Sequence, residues 1–211
     1  KVVIFLNSFT DTAALHAAFD ALRRNNEKIV VTYGAGFIVD NGLSVNAMNT
    51  LTVLHFKQID NGSLKVSFDG KRATGDNYPV NPRFTITDED AVVYGKYLDT
   101  GEVAVAEKGN IVFHGGARLD TAFIRDIARK QGVHIYMDTD ENLHASNDIV
   151  SIHARSKGVK TIRLPRRCDV VEIYSGRTVA RDTDVIEIPM EAFDTQVFLL
   201  GEFDKIRQAI R

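Results

Sequence analysis

A nucleophilic thiol, a glycine loop that could cradle an anion and an oxygen-rich cation loop are the chemistries whose residue types this sequence contains. The thiol can only be Cys168, because the chain has a single cysteine. Amide-transfer catalysis needs such a cysteine on a strained strand-to-helix turn, with a histidine in hydrogen-bond reach. Cys168 instead falls in a β-rich tail beside Arg166 and Arg167. No serine sits in a Gly-x-Ser-x-Gly elbow, and Ser175-Gly176 reads as a strand-end turn. No catalytic residue is assigned.

Gly34-Ala35-Gly36, followed by Phe37, comes after a predicted strand, where glycine permits close backbone approach to a phosphate. A dinucleotide fingerprint would need a third glycine opening a helix, and Phe37-Ile38-Val39 stands there instead. Gly115-Gly116 precedes a predicted helix, a better anion-site geometry that serves equally as a tight βα turn. Asp138-Thr139-Asp140-Glu141-Asn142 offers oxygen ligands at alternating positions, as a calcium loop does. It lacks the glycine at position six and the bidentate glutamate at twelve, where Leu143 and Ile149 stand. The candidate ligand-binding residues are thus Gly34, Gly36, Phe37, Gly115, Gly116, Asp138 and Asp140, with turn and surface roles competing at each. No metal and no cofactor is expected. The six histidines (His16, His55, His114, His134, His144 and His153) form no i, i+4 pair of the zinc-hydrolase kind. Asn61-Gly62-Ser63 matches a glycosylation sequon but reads as a hairpin turn.

The elements that would position these residues follow from periodicity. Val2–Leu6 is a continuous apolar run, expected as a strand covered on both faces. Leu15, Ala18, Phe19 and Leu22 mark one face of a helix capped by Thr10, and Ile29–Val31 follows as a second, parallel strand. A short helix is predicted from Ser44 to Leu51. Val53–Phe56 and Leu64–Phe68, flanking Asn61-Gly62, predict a β-hairpin. Short strands follow at Phe84–Ile86, Ala91–Tyr94 and Val103–Ala106. Ile111–Phe113, a helix capped by Asp120, Gly132 and a strand at Val133–Tyr136 make the last α/β unit. Beyond residue 148 only strand-length runs remain: Ile149–His153, Thr161–Leu164, Val170–Tyr174, Val185–Ile188 and Gln196–Leu199.

Composition narrows the partners. A formal net charge of −2 gives no electrostatic footprint for nucleic acid or an anionic membrane. No apolar run approaches the roughly 20 residues that cross a bilayer. No basic-then-apolar leader opens the chain, so a signal peptide is expected to be absent or removed. A lone cysteine fits a reducing compartment and a disulfide-free secreted protein alike. Lys1 is not methionine and a strand starts at once, so a stretch of a longer polypeptide is expected.

One ordered series carries a family resemblance: Gly116-Ala117-Arg118-Leu119, Ile127-Ala128-Arg129, Gly132–Asp140, Ser151-Ile152-His153-Ala154, Lys160–Pro165 and Asp169-Val170-Val171. Phe5-Leu6-Asn7, Tyr33–Phe37 and Gly42-Leu43-Ser44-Val45 agree with it. The series resembles the C-terminal region of bacterial glycoside-hydrolase-like proteins related to family 42 β-galactosidases. It departs at Gly34-Ala35-Gly36, where related sequences tend to have Ala-Pro-Gly. The resemblance implies a catalytic barrel that carries the carboxylates, then a class I glutamine-amidotransferase-like trimerisation domain, then a small β-domain. Lys1 would begin at the second strand of the amidotransferase-like sheet.

The expected fold class is therefore α/β: a three-layer flavodoxin/class I glutamine-amidotransferase-like domain over residues 1–145, followed by a small antiparallel β-sandwich domain over residues 146–211. The expected function is a non-catalytic accessory and oligomerisation region. Its partners are the catalytic barrel of the parent chain and copies of itself, with no nucleic acid and no membrane. The alternative is a carbohydrate- or small-ligand-binding module using the Gly34–Phe37 and Asp138–Asn142 loops. An autonomous enzyme would need a constellation that the sequence does not display.

Overall fold

Two apolar runs, Ile29–Val31 and Ile111–Phe113, lie buried side by side inside a sheet, as strands covered on both faces must. The computed structural model describes residues 1–209 and divides the chain into two compact units, Lys1–Val133 and His134–Arg211. The first runs β1 (Val2–Phe5), α1 (Ala13–Arg24), β2 (Lys28–Thr32), β3 (Ile38–Val39), β4 (Gly42–Leu43), α2 (Val45–Thr52), β5 (Phe56–Ile59), β6 (Gly62–Ser63), β7 (Val66–Phe68), β8 (Arg72–Thr74), β9 (Pro79–Val80), β10 (Arg83–Ile86), β11 (Val92–Tyr97), β12 (Val103–Lys108), β13 (Ile111–His114) and α3 (Thr121–Lys130). The second runs β14 (Asn142–Ala145), β15 (Ile149–His153), β16 (Gly158–Glu172), β17 (Thr178–Met190), β18 (Thr195–Gly201) and α4 (Phe203–Ala209).

Seven strands of the first unit form one mixed sheet in the order β1-β2-β13-β12-β11-β7-β8. β1 and β13 flank β2 in parallel, and the other ladders of the sheet are antiparallel. With side chains alternating along each strand, Ile29, Val31, Ile111 and Phe113 enter a core with Phe19 of α1 and Met48 and Leu51 of α2. Val30 and Val112 point the other way, into a core with Phe123 and Ile127 of α3. Each of α1, α2 and α3 starts where a side chain accepts a free amide. Thr12 Oγ1 accepts from Leu15 N–H at 3.1 Å, Ser44 Oγ from Ala47 N–H at 3.1 Å, and Asp120 Oδ1 from Phe123 N–H at 2.8 Å. Thr10, the cap expected for α1, instead bridges Ile38.

The three-layer α/β expectation is overturned: the fold is 44% strand and 17% helix, built on a curled seven-stranded sheet. The reason lies in residues 53–108. They extend the sheet with antiparallel strands and lay the β5–β10 pair into the α1/α2 core, where a flavodoxin-like fold would place further helices. The predicted hairpin across Asn61-Gly62 does not form either. β5 pairs with β10, β6 with β9, and β7 with β8 and β11. Val133–Tyr136 is not a strand, because the chain leaves α3 into an irregular segment. β1 is an edge strand with Ile4 partly exposed, not one covered on both faces.

The β-sandwich expected for the second unit is corrected too. Its strands form one five-stranded antiparallel sheet, β14-β15-β18-β16-β17. The predicted strands at 161–164 and 170–174 lie largely within the single 15-residue β16. Its register against β17 shifts between Arg163 and Cys168 and again on either side of Val170, irregularities of the kind that bend a strand. One face of that sheet buries Val150, Ile152, Ile162, Val170, Ile186 and Phe198 in a single core.

One buried cation organises the irregular part of the first unit. The Arg83 side chain is 1% exposed. Its Nε donates to Asp60 O at 2.9 Å, and its Nη1 donates to Ser63 O at 2.9 Å and to the Asp99 carboxylate at 2.9 and 3.0 Å. The guanidinium also lies 5.0 Å from the centre of the Tyr97 ring. A Cβ on Gly62 would come within 2.5 Å of Arg83 Nη2, so this glycine makes room for the cation. Arg83→Met is expected to lower unfolding free energy by about 2 kcal/mol, because the carbonyls of Asp60 and Ser63 lose their donor. Asp99→Asn should cost under about 1 kcal/mol, because that carboxylate is 38% exposed and screened. Urea midpoints of the two variants check the ordering.

Candidate functional site

The structure brings five of the seven candidate residues to neighbouring strand ends. Tyr33 N–H donates to His114 O at 2.8 Å, so the Gly34–Phe37 and Gly115–Gly116 segments leave adjacent parallel strands. Their amides are turned inward. Gly36 N–H donates to Ser8 O at 2.9 Å, Phe37 N–H to Gly34 O at 3.0 Å, and Gly115 N–H to Ala104 O at 2.7 Å. Side chains fill the space beside the glycines. A Cβ on Gly36, at φ +72°, would lie 2.8 Å from Leu51 Cδ2, and one on Gly115 would lie 2.2 Å from Tyr97 Oη. Phe37 is buried edge-on against Phe84 at 4.8 Å between centroids. The sheet steps from β1 through β2 to β13 in one direction. The reversal of strand order that opens a ligand crevice in doubly wound folds is missing among the described strands.

Asp138 and Asp140 lie in the second unit, in a loop held by cations. Arg163 Nη1 donates to Asp138 Oδ2 at 2.8 Å, and Arg155 Nη1 to Asp140 O at 3.2 Å. Next to them Lys160 and Glu141, 6% and 5% exposed, pair at 2.6 Å. Hydrogen bonding from Arg155 N–H, then from Lys160, holds the Glu141 carboxyl below its ordinary range. Among the described residues no group of three or more His, Cys, Asp or Glu side chains could hold a metal ion.

Cys168 lies in the floor of a cleft of about 700 Å³ in the second unit. Burial pushes its thiol up, against the pull of Arg166, so little nucleophilic thiolate forms. No histidine stands among the described residues lining that cleft.

Two histidine–carboxylate pairs join residues that the sequence reading left apart. His16 Nε2 is 2.6 Å from Asp11 Oδ1. His55 Nδ1 is 2.8 Å from Asp88 Oδ1, and Asp88 also accepts from His55 N–H and Lys108. Burial raises the Asp88 carboxyl, but the donors from Lys108 and His55 outweigh it and hold the group at about 2. No sequence signal marks the second pair, because the β5–β10 ladder alone brings residues 55 and 88 together.

His114 is fully buried. Its Nδ1 sits 2.9 Å from Gly116 O and 3.2 Å from Gly116 N, while Nε2 has no partner. The rings of Phe68 and Phe123 flank it. Asp120 is the nearby carboxylate, and it already accepts from Arg72, Thr74 and Phe123.

No family model matches the sequence, and no curated protein matches it. Solved structures do. Gan42B, a GH42 β-galactosidase from G. stearothermophilus, aligns with a TM-score of 0.61 at 16% identity, over 94% of this chain and 31% of its own. The β-galactosidase from Bacillus circulans sp. alkalophilus gives 0.61 at 13% identity, over 95% and 33%. α-L-Fucosidase isoenzyme 2 from Paenibacillus thiaminolyticus gives 0.57 at 14% identity, over 96% and 41%. The fold is shared, and the chain spans about a third of the length of the β-galactosidases it matches.

Burial holds the His114 imidazole below its ordinary value of 6.5, against the opposing pull of Gly116 and Asp120. On acidification the unfolded chain takes up this proton first. Stability from the neutral ring is therefore complete above pH ~6.5 and is lost as pH falls below that value. Urea midpoints measured from about pH 7 down to about pH 5 should fall for the native chain and fall less steeply for His114→Gln.

Proposed function

We propose that this chain is a non-catalytic accessory region of a larger glycoside-hydrolase-like protein, supporting a catalytic barrel elsewhere in that protein and contributing to self-association. One observation carries the reading. Glycoside hydrolases align over 94–96% of this chain, whereas the aligned part is only 31–41% of theirs. The internal chemistry supports it. Among the described residues no histidine lines the Cys168 cleft, the amides of Gly36, Gly115 and Gly116 are bonded within the fold, and the acidic loop is paired with arginine and lysine. Side chains that serve packing and turns suit a scaffold better than a reaction centre.

Two measurements test it. Light-scattering masses of the chain and of its parent protein should exceed the monomer for at least the parent; strict monomers of both would remove the assembly role. A chromogenic β-galactoside should stay intact with this chain alone, and measurable hydrolysis would overturn the non-catalytic reading.

A further inference from the structure

Cys168, Leu200 and Ile206 are buried at the floor of the cleft in the second unit, whose volume of about 700 Å³ falls within the range of small-molecule sites. Two local irregularities shape its rim. Register between β16 and β17 is lost from Arg163 to Cys168, and this bulged stretch carries Arg166 and Arg167 to the cleft. Across from it Asp182 adopts φ +41°, rare for a residue other than glycine. Arg167 bonds both the carboxylate and the carbonyl of Asp182. Bulges and left-handed backbone gather where side chains must be re-aimed.

The rim chemistry selects a ligand class. Arg166 pairs with Asp148 at 2.8 Å, Arg167 with Asp182 at 3.2 Å, and Lys205 with Glu202 at 2.8 Å. Asp169 is tied down separately by the amides of Asp182 and Phe203. Because each of these cations has its own anion, a charged ligand gains little net attraction. Donors stand beside acceptors instead, and exposed pairs of this kind are weak enough to open. A ring bearing adjacent hydroxyls both donates and accepts at such a rim, and its C–H face suits the apolar floor. We propose that this cleft is a binding site for a neutral polyhydroxylated ligand of mono- or disaccharide size.

The sole cysteine of the chain makes occupancy readable, because a ligand on the floor shields Cys168 from iodoacetamide. Galactose or lactose near three times its Kd should slow alkylation roughly fourfold, since protection grows as one plus concentration over Kd. Betaine at equal osmolality should not slow it, and Arg166→Ala should abolish most of the protection. Asp148→Asn, at an exposed carboxylate, serves as a second variant should the first fold poorly. Rates unchanged by either sugar, equal slowing by betaine, stronger protection by inorganic phosphate, or protection untouched by both variants would each overturn the proposal. The masses and hydrolysis assay above read assembly and catalysis, so the two proposals can fail separately.

Discussion

A guanidinium taken out of water must have its donors met, and Arg83 meets that requirement by gathering two backbone carbonyls and a carboxylate. The carbonyls of Asp60 and Ser63 and the carboxylate of Asp99 come to one cation, and Gly62 stays bare to let it in. The consequence is architectural. Fixing residues 60–63 against residue 83 aligns β5 with β10, and β10 presents Phe84 and Ile86 to the core that α1 and α2 cover. The Tyr97 hydroxyl then donates to Phe84 O at 2.9 Å, tying the cover back to the main sheet. A polar network of this sort specifies one arrangement of short strands that have little propensity of their own to fix it.

The fold was legible where local period and core burial agree. Ile29–Val31 and Ile111–Phe113 read as two-sided strands, and α1 to α3 were marked by their stripes. It was not legible where partners are distant and strands are two to four residues long. Val53–Phe56 and Leu64–Phe68 flank an Asn-Gly pair, the usual sign of a hairpin. Here the glycine serves the approach of Arg83, and the strands pair elsewhere. Val133–Tyr136 shows the converse error: an apolar run after a helix looked like a parallel strand, yet it pairs with nothing in the sheet. The second error added a parallel strand that the sheet lacks, whereas in residues 53–108 short strands were expected and their partners were not.

The candidate site was legible only as residue types. Glycine pairs at strand ends are ambiguous because close approach to a ligand and close approach to the protein itself make the same demand. The fold supplies the latter reason for Gly36 and Gly115, where Leu51 and Tyr97 occupy the space. Aspartates in a loop are likewise ambiguous until their partners are known, and Arg163 lies 25 residues from Asp138. The cleft around Cys168 escaped notice for a related reason. Its rim is drawn from β16, β17, β18 and α4 and from Asp148, and no spacing in the sequence links them.

Strand order also has a temporal meaning. β2 leaves the ribosome well before the neighbour that covers its second edge, β13, which lies roughly eighty residues further along. Until that segment is synthesised, β2 has one open edge and exposes the apolar side chain of Val30 meant for the α3 core. Nascent chains in this window are the species most open to mispairing and to chaperone capture. The last-made strands, β11 to β13, fall between β1–β2 and β7–β8 in the sheet, so the entire first unit, rather than its opening βαβ segment, is the smallest piece that can protect its own backbone.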